Sequence, residues 1–288
     1  MSCGCGRSPD FCRGWHGLTE EEWQAELAEF RKEEEAQAAK QHTKYYEVTV
    51  LEVHHTTPTL FKIKTTKPEG YKFKPGEFTM IGLPDTIKRA YSFTSDPSAD
   101  YLEFYSIKAP NGELTEKLKY VLPGDTMHIG KKAKGTLLVD NFTPEESERV
   151  WLLATGTGIA PFMSILRSKQ IKTMFERKTY VMWSVRKKED LLAYDDELTK
   201  NSFIHYMPIV TQDAEHFGWT KRIQEYLLNP ATHGLSMIPE LNPVKDRVML
   251  CGSMEFNEDL REILEERGFV EGSNQQQGTY VLEKAFVG

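Results

Sequence analysis

A chain of 288 residues is long enough for two ordinary domains, each with its own hydrophobic core. Hydrophobic residues make up 39% of it and charged residues 27%, and no apolar run approaches the roughly 18 residues of a membrane helix, which argues against a membrane protein. The formal net charge of −7 and the lack of a basic run argue against general nucleic-acid binding. The chain opens without a charged segment followed by an apolar stretch, so we expect no signal peptide and a cytoplasmic location.

The first region, residues 1–43, starts with cysteines and glycines and continues as a charged segment. Residues 19–22, Thr-Glu-Glu-Glu, have the pattern of a capping box at the start of a helix. Trp23, Leu27 and Phe30 follow at helical spacing among many Glu and Lys residues. The pattern predicts a solvated helix with one narrow apolar stripe.

The second region, residues 44–145, consists of short segments in which polar and apolar residues alternate and β-branched and aromatic residues are frequent. Strands are predicted at residues 46–53, 60–65, 77–82, 90–94 and 101–108, with Gly and Pro residues between them. Many short strands with such turns favour an antiparallel β-barrel. A short helix, at about residues 115–121, interrupts it.

The third region, residues 146–288, changes to continuous apolar runs that alternate with helical patterns. Buried strands are predicted at residues 150–154, 180–183, 204–210, 248–250 and 280–282. This β-α-β order predicts a parallel sheet covered by helices. The predicted fold class is therefore a two-domain chain, an antiparallel β-barrel followed by an α/β domain with a parallel sheet.

A glycine turn follows the first predicted strand of this sheet. The strand at 150–154 runs into Thr-Gly-Thr-Gly-Ile-Ala-Pro at 155–161, where Gly156 and Gly158 would let the backbone approach a ligand closely. Pro161 suits the first turn of a helix. Free N–H groups and the helix dipole at this edge of a parallel sheet favour a pyrophosphate. Taken alone, the pattern also fits an ordinary tight turn.

Two further segments are equally ambiguous by themselves. Cys251 ends a predicted strand at the same edge of the sheet, where a thiol could touch a nicotinamide, although free Cys is usually a small buried hydrophobe. Arg89 could pair with a pyrophosphate, and Tyr91 could stack on an aromatic cofactor beside the small hydroxyl of Ser92. A strand with a charged outer face would show the same residues.

The order of these motifs carries more information than any one of them. Arg-Ala-Tyr-Ser at 89–92, the glycine turn at 155–161, Cys-Gly-Ser at 251–253 and a terminal aromatic segment at 280–287 follow one another. This combination resembles the ferredoxin–NADP reductase superfamily, and within it the bacterial ferredoxin/flavodoxin–NADP reductases, from about residue 46 to the end. The resemblance implies a FAD-binding barrel, an NADP-binding α/β domain, and an oxidoreductase that passes single electrons between NADPH and ferredoxin or flavodoxin.

The resemblance also implies a role for individual residues. The FAD contacts would be Arg89, Ala90, Tyr91, Ser92, Tyr105, Ser106, Ile107, Lys108, Gly112, Leu114, Thr115, Thr157, Ala285 and Phe286. The NADP contacts would be Thr155, Gly156, Gly158, Ile159, Ala160, Pro161, Arg186, Arg222 and Cys251. Ser92, Cys251 and Glu283 would lie on the path of the hydride. Ala285 takes the place of a terminal Tyr in plant-type relatives, which would leave the flavin more open.

The choice between NADPH and NADH stays open at this point. Arg186 and Arg222 match arginines that bind the 2′-phosphate in relatives, but a third such position is Gln212, followed by Asp213. A dianionic phosphate prefers Arg side chains, and a neighbouring acid repels it.

The cysteine-rich start could hold a metal. Cys3, Cys5, Cys12 and His16 form a four-ligand set for tetrahedral zinc or for a 2Fe–2S cluster with one His ligand. Over about fourteen residues the segment resembles the CDGSH iron–sulfur motif, but the gap between Cys5 and Cys12 is shorter and Arg13 replaces an Asp. A cluster, zinc and an unliganded tail all remain possible interpretations.

Other functions compete with that of a ferredoxin–NADP reductase. The reductase component of an oxygenase has the same two-domain core, although it often carries a plant-type iron–sulfur domain that is not visible here. An NADH-preferring flavin reductase is a second alternative. A metal-binding, nucleotide-sensing module without enzyme activity is the third, and the absence of flavin in the purified protein would favour it.

Overall fold

The computed structural model of the protein describes residues 6–8, 13–109, 112–143, 146–168, 178–213, 215–216, 218–228 and 238–283, with residues 37–43 described by their backbone alone. The chain divides into two compact units, Met1–Tyr46 and Glu47–Gly288. Within the described residues, no helix is both long and apolar enough to cross a membrane.

The first unit contains a 3₁₀ turn, Trp15–Gly17, and the long helix α1, Glu20–Lys44. The predicted capping box is confirmed, because the Glu22 carboxylate accepts from Thr19 N at 2.9 Å and Thr19 Oγ1 accepts from Glu22 N at 3.3 Å. These bonds from Thr19 lower the pKa of the Glu22 carboxyl. Phe30 packs edge-on against the buried ring of Trp15. The apolar stripe of the helix therefore has a partner within its own unit.

A six-stranded antiparallel sheet follows, and all of it except Tyr45 and Tyr46 belongs to the second unit. Its strands are β1 Tyr45–His55, β2 Leu60–Thr66, β3 Phe78–Gly82, β4 Arg89–Ser92, β5 Tyr101–Ile107 and β6 Thr126–Gly130. They are ordered β4-β3-β6-β1-β2-β5, and a bridge between Phe93 and Phe104 joins the two ends, so that the sheet nearly closes into a barrel. The interior is apolar, with both phenylalanines fully buried.

The short helix of the barrel, α2 Thr115–Leu118, ends three residues earlier than predicted. Val121 N bonds Leu118 O in a tighter turn, and Leu122 precedes Pro123. Tyr120 N bonds Lys117 O in the same tighter way, so the α-helical hydrogen bonds do not extend to Val121.

A five-stranded parallel sheet follows. Its strands are β7 Arg149–Thr155, β8 Lys178–Val185, β9 Ile204–Val210, β10 Asp246–Cys251 and β11 Tyr280–Leu282. The described helices of this part are α3 Ala160–Arg167, α4 Asp195–Thr199, α5 Ile223–Leu228 and α6 Met254–Glu266, with 3₁₀ turns at Val139–Asn141, Gly156–Ile159 and Lys188–Ala193. Residues 150–154 are fully buried, as a strand covered on both faces requires. The predicted fold class is confirmed.

The strand order β11-β10-β7-β8-β9 creates the place where a ligand is expected. From β7 the chain continues to β8 and β9 on one side, and it returns to β10 and β11 on the other. Ligands of open α/β sheets bind outside the carboxyl ends of the strands at such a reversal. Thr155 ends β7 and Cys251 ends β10, so the reversal lies between these two residues.

Candidate functional site

Strand β4 carries Ser92 into the interior of the protein. Ser92 pairs with Phe78 on β3 and is only 3% exposed. Among the described residues, its hydroxyl has no hydrogen-bond partner. A buried polar group without a partner costs about 1–3 kcal/mol, so such a group is expected where a ligand supplies the missing bond. The hydroxyl therefore fits a polar edge of a bound cofactor.

Tyr91, the residue before Ser92, is fixed by a neighbour on β5. Its hydroxyl is hydrogen-bonded to Ser106 Oγ at 2.9 Å, and Ser106 is buried. Burial raises the pKa of the Tyr91 phenol, so the ring stays neutral at physiological pH. Tyr91 and Ser106, which the resemblance placed in the same cofactor site, are thus in direct contact, and a flat, half-buried ring lies next to the unpartnered hydroxyl.

Other residues predicted for FAD form the turn before α2 or pack against the α/β part of the unit. Thr115 Oγ1 accepts from Ala109 N at 3.2 Å and donates to Gly112 O at 3.3 Å, which shapes the turn before α2. A Cβ at Gly112 would lie 2.3 Å from Thr115 Oγ1, so a larger residue there would displace the hydroxyl that shapes the turn. Tyr105 packs against Tyr194 at a ring distance of 5.2 Å.

The remaining residues of that set are easily placed. Ile107 is exposed, Leu114 is buried, and Lys108 lies 3.8 Å from the Glu116 carboxylate. Arg89 is exposed at the start of β4, and Ala90 is half-buried. Ala285 and Phe286 lie outside the described residues.

The glycine turn after β7 forms a 3₁₀ turn at Gly156–Ile159. Gly156 is exposed and has a φ of +52°, which glycine adopts without strain. Gly158 has another reason to be glycine, since a Cβ there would lie 2.1 Å from the Cys251 carbonyl oxygen. The close approach of β10 is therefore a second reason for glycine at position 158, beside the predicted approach of a ligand. Pro161 lies in the first turn of α3, as predicted.

The residues predicted for FAD or NADP at this turn differ in their exposure. Thr155, Gly156 and Thr157 reach the surface. Ile159, Ala160 and Pro161 are buried and build the start of α3. The first group can contact a nucleotide, whereas the second group positions the helix N-terminus that would face its phosphates.

Cys251 and Glu283 lie side by side at the ends of β10 and β11. Leu250 and Leu282, which precede them, are paired in the parallel register. Cys251 is fully buried, and burial, together with the Glu283 carboxylate, raises the pKa of its thiol well above the ordinary value. The thiol is therefore neutral at physiological pH and suited to packing or weak hydrogen bonding.

Glu283 is held by residues that the sequence analysis missed. It is 3% exposed; Thr136 N donates to its carboxylate at 3.3 Å, and Asn257 Nδ2 donates to its carbonyl at 3.2 Å. Gly135 leaves room for the same carboxylate, because a Cβ there would lie 3.0 Å from it. No local motif marks Thr136 or Asn257, which lie far from Glu283 in the chain.

The two arginines predicted for the 2′-phosphate follow β8 and precede α5, respectively. Arg186 follows β8 and is exposed, and its carbonyl accepts from Gln212 N at 2.8 Å. Arg222 is exposed, and it lies 3.5 Å from the Glu255 carboxylate. The Asp213 carboxylate accepts from the backbone N–H groups of Lys188 and Glu215, which offsets part of its charge.

Most of the predicted metal ligands lie outside the part of the chain that the structure describes. Cys3, Cys5 and Cys12 lie outside the described residues, and His16 is exposed in the first 3₁₀ turn. No group of three or more His, Cys, Asp or Glu side chains that could hold a metal occurs among the described residues.

Comparison with known proteins agrees with this architecture. Residues 152–262 match the family described as oxidoreductase NAD-binding domain. The chain is 41% identical to ferredoxin–NADP reductase A of Sorangium cellulosum, covering 85% of this chain and 91% of that protein. It is 38% identical to the flavodoxin/ferredoxin–NADP reductase of Rhodobacter capsulatus, covering 83% and 93%. A solved ferredoxin NADP⁺ reductase from Neisseria gonorrhoeae, with bound FAD and NADP, superposes with a TM-score of 0.77 at 32% identity, covering 84% and 99%.

The barrel, the parallel sheet and the glycine turn together define a two-domain nucleotide-binding oxidoreductase. The chain belongs to the ferredoxin–NADP reductase family.

Proposed function

We propose that the protein is a FAD-dependent reductase that carries electrons between NADPH and a ferredoxin or flavodoxin. The observation that carries the proposal is the buried Ser92 hydroxyl without a partner, next to the half-buried ring of Tyr91. When bound, FAD would supply the chemistry that couples two-electron hydride transfer from NADPH to the transfer of single electrons. Ser92 donates a hydrogen bond to the flavin, Tyr91 stacks on it, and the turn at Gly112–Thr115 contacts its pyrophosphate.

The α/β domain binds the nucleotide in this proposal. Thr155 and Gly156, which reach the surface, contact the pyrophosphate together with the N-terminus of α3, and Thr157 lies close to the flavin. Arg186 and Arg222 contact the 2′-phosphate. Cys251 and Glu283 line the nicotinamide side as a neutral thiol and a carboxylate fixed by Thr136.

NADPH is the proposed donor in spite of Gln212. The Asp213 carboxylate already accepts two backbone hydrogen bonds, so its repulsion of a phosphate is reduced. Two exposed arginines remain at the same edge, and guanidinium groups suit a dianionic phosphate.

The proposed partner is an acidic redox protein, for which the barrel offers a basic face. The exposed lysines of this face are Lys72, Lys131, Lys132 and Lys134. Lys74 is also exposed, but its ammonium is paired with the Asp140 carboxylate at 2.6 Å. The two segments that carry them are joined, because Tyr71 donates to Gly130 O at 2.9 Å. A local patch of one sign steers an oppositely charged partner even when the whole chain is acidic.

The cysteine-rich start and the location complete the proposal. A 2Fe–2S cluster or zinc held by Cys3, Cys5, Cys12 and His16 is supported by the ligand types alone, and analysis of iron and zinc in the purified protein decides between them and an unliganded segment. The cytoplasm, expected from the sequence, remains the proposed location.

The first test is a visible absorption spectrum, followed by anaerobic titration with NADPH and with NADH. A flavin spectrum that NADPH bleaches at much lower concentration than NADH supports the proposal. Bleaching by NADH alone would favour an NADH-preferring flavin reductase. A protein that binds no added FAD would contradict the proposal and favour a nucleotide-sensing module. Reduction of an acidic ferredoxin, weakened by salt and by Lys132→Glu, tests the basic face.

A further inference from the structure

Helix α3 links the two proposed cofactor sites. It begins directly after the glycine turn, and its residues 160–166 are all buried. Its eight residues span about 12 Å, at 1.5 Å for each residue. A small shift of this helix would therefore move the turn that faces the nucleotide.

The last residue of α3, Arg167, bonds both parts of the second unit. Its Nη1 donates to Thr94 O and to Glu103 Oε1 on the barrel, each at 2.8 Å. Its Nε and Nη2 donate to the two carboxylate oxygens of Glu197 in α4 at 2.7 and 2.6 Å. One guanidinium thus joins the barrel, α3 and α4.

Glu103 is fixed from the barrel side as well. Thr94 Oγ1 donates to the same Glu103 oxygen at 2.6 Å. Burial alone would raise the pKa of the Glu103 carboxyl, but Arg167 and the Thr94 bond hold it below the ordinary value. The carboxylate is therefore charged at neutral pH, and the contact keeps its strength there.

A second contact of α3 lies one turn earlier. Ser164 is fully buried, and its hydroxyl donates to Ser95 O at 2.7 Å. Together with Arg167, it binds the carbonyls of two consecutive residues, Thr94 and Ser95. These residues continue the strand of Ser92, the proposed flavin contact. The helix that starts at the nucleotide turn therefore ends on the segment that carries Ser92.

We propose that Arg167 is a positioning residue for hydride transfer, which rests on the proposed function. By fixing α3 on residues 94–95, it sets how closely the nucleotide turn approaches the strand of Ser92. Hydride transfer depends steeply on distance, and misplacement by about 1 Å can cost about 100-fold in rate. Nucleotide affinity depends mainly on contacts within the α/β domain. Loss of Arg167 should therefore slow transfer without weakening nucleotide binding.

The test compares Arg167→Met and Arg167→Lys with Arg149→Met in the full-length, FAD-loaded protein. Arg149 forms the same kind of paired contact, at 2.6 and 2.8 Å to Asp246, but inside the parallel sheet. Stopped-flow reduction by NADPH gives the limiting rate, and titration with NADP⁺ gives the dissociation constant. We expect Arg167→Met to lower the limiting rate about tenfold or more, with the dissociation constant within about twofold of wild type.

Arg167→Lys should fall between wild type and Arg167→Met, because an ammonium keeps the charge but cannot reach all three partners. Arg149→Met should leave both values within about twofold. An unchanged limiting rate in Arg167→Met would overturn the proposal, as would an equal loss in Arg149→Met or a parallel loss of affinity. Ser164→Ala, which removes the second contact, should slow reduction in the same direction if Arg167→Met does not fold.

Hydrogen exchange supplies a readout that needs no reduction. Thr94 N donates to Glu103 O within the barrel, and we expect its protection to fall in Arg167→Met while that of the parallel strands is kept. Unchanged protection at residues 94–95 would contradict the positioning role. Wild-type protein that NADPH does not reduce would instead contradict the proposed function, and the exchange result would still decide whether Arg167 fixes α3.

Discussion

The predicted cofactor residues on strand β4 and those at the edge between β7 and β10 differ in how they are packed. On β4, the Ser92 hydroxyl is buried and has no partner among the described residues. At the sheet edge, the backbone is packed so tightly that a Cβ at Gly158 would lie 2.1 Å from the Cys251 carbonyl. In the barrel, a buried hydroxyl without a partner is available to a ligand. At the sheet edge, a glycine allows the ends of two strands to pack closely together. Similar motifs therefore need different tests.

The largest effect is expected at the two glycines of the turn. Gly158→Ala should lower the free energy of unfolding by about 3 kcal/mol, because the new methyl overlaps a backbone carbonyl that cannot move freely. Gly156→Ala is the matched control. A Cβ there meets nothing within 4 Å, and only the positive φ costs about 1 kcal/mol. Urea unfolding measures both, and equal losses would contradict the packing role of Gly158.

The second prediction concerns Arg186, which is exposed where β8 ends. Arg186→Gln should weaken NADPH binding about tenfold and change NADH binding less than about twofold, because the proposed charged contact of Arg186 is with the 2′-phosphate alone. Lys187→Gln is the control, since Lys187 is an adjacent exposed cation near Glu189. Titration of both nucleotides measures the ratio, and equal weakening by the two variants would favour general attraction over a specific contact.

How far the sequence predicts these sites depends on distance along the chain. The fold class follows from the periodicity of the strand segments, and the family follows from continuous motifs such as Arg89–Ser92 and residues 155–161, which lie next to recognisable strands. The contacts of Glu283 with Thr136 and of Arg167 with Glu103 join residues that are 147 and 64 positions apart. No local pattern encodes such pairs, because they form only after the barrel and the sheet have packed together.

The role of Gly158 was predicted incompletely for a related reason. A glycine that admits a ligand and a glycine that admits a neighbouring strand have the same sequence pattern. Only the position of the Cys251 carbonyl distinguishes them. The cysteine-rich start remains a prediction, since Cys3, Cys5 and Cys12 lie outside the described residues.

The third prediction uses the raised pKa of Cys251. The folded state keeps the thiol protonated where the unfolded chain begins to lose the proton, at about pH 8.5. The contribution of this thiol to stability is therefore complete below that pH and falls above it, by about 1.4 kcal/mol for each pH unit until the folded pKa is reached. Cys251→Ala should have a shallower decline in unfolding free energy between pH 8.5 and 10.

The same variant tests a role in the reaction. Cys251→Ala should slow flavin reduction by NADPH while FAD stays bound, if the thiol lines the nicotinamide. An unchanged rate in stopped flow would leave Cys251 with a packing role only. Identical slopes of stability against pH in the two proteins would contradict the raised pKa.

The smallest effects on stability are expected in the barrel, where two serines of the proposed flavin site can be compared. Ser106→Ala removes the partner of the Tyr91 hydroxyl and should cost about 1 kcal/mol with or without flavin. Ser92→Ala removes a hydroxyl that has no partner, so the flavin-free protein should keep its stability or gain about 1 kcal/mol.

With FAD bound, Ser92→Ala should become the less stable of the two variants. Ser92→Ala would then lack the proposed hydrogen bond to the flavin, and its stabilisation by FAD should be smaller than that of wild type. Thermal unfolding with and without FAD measures this difference. A flavin-free Ser92→Ala protein that is clearly less stable than wild type would mean that the hydroxyl is already satisfied within the chain. The proposal of a flavin site would then depend on the Tyr91 ring rather than on the hydroxyl of Ser92.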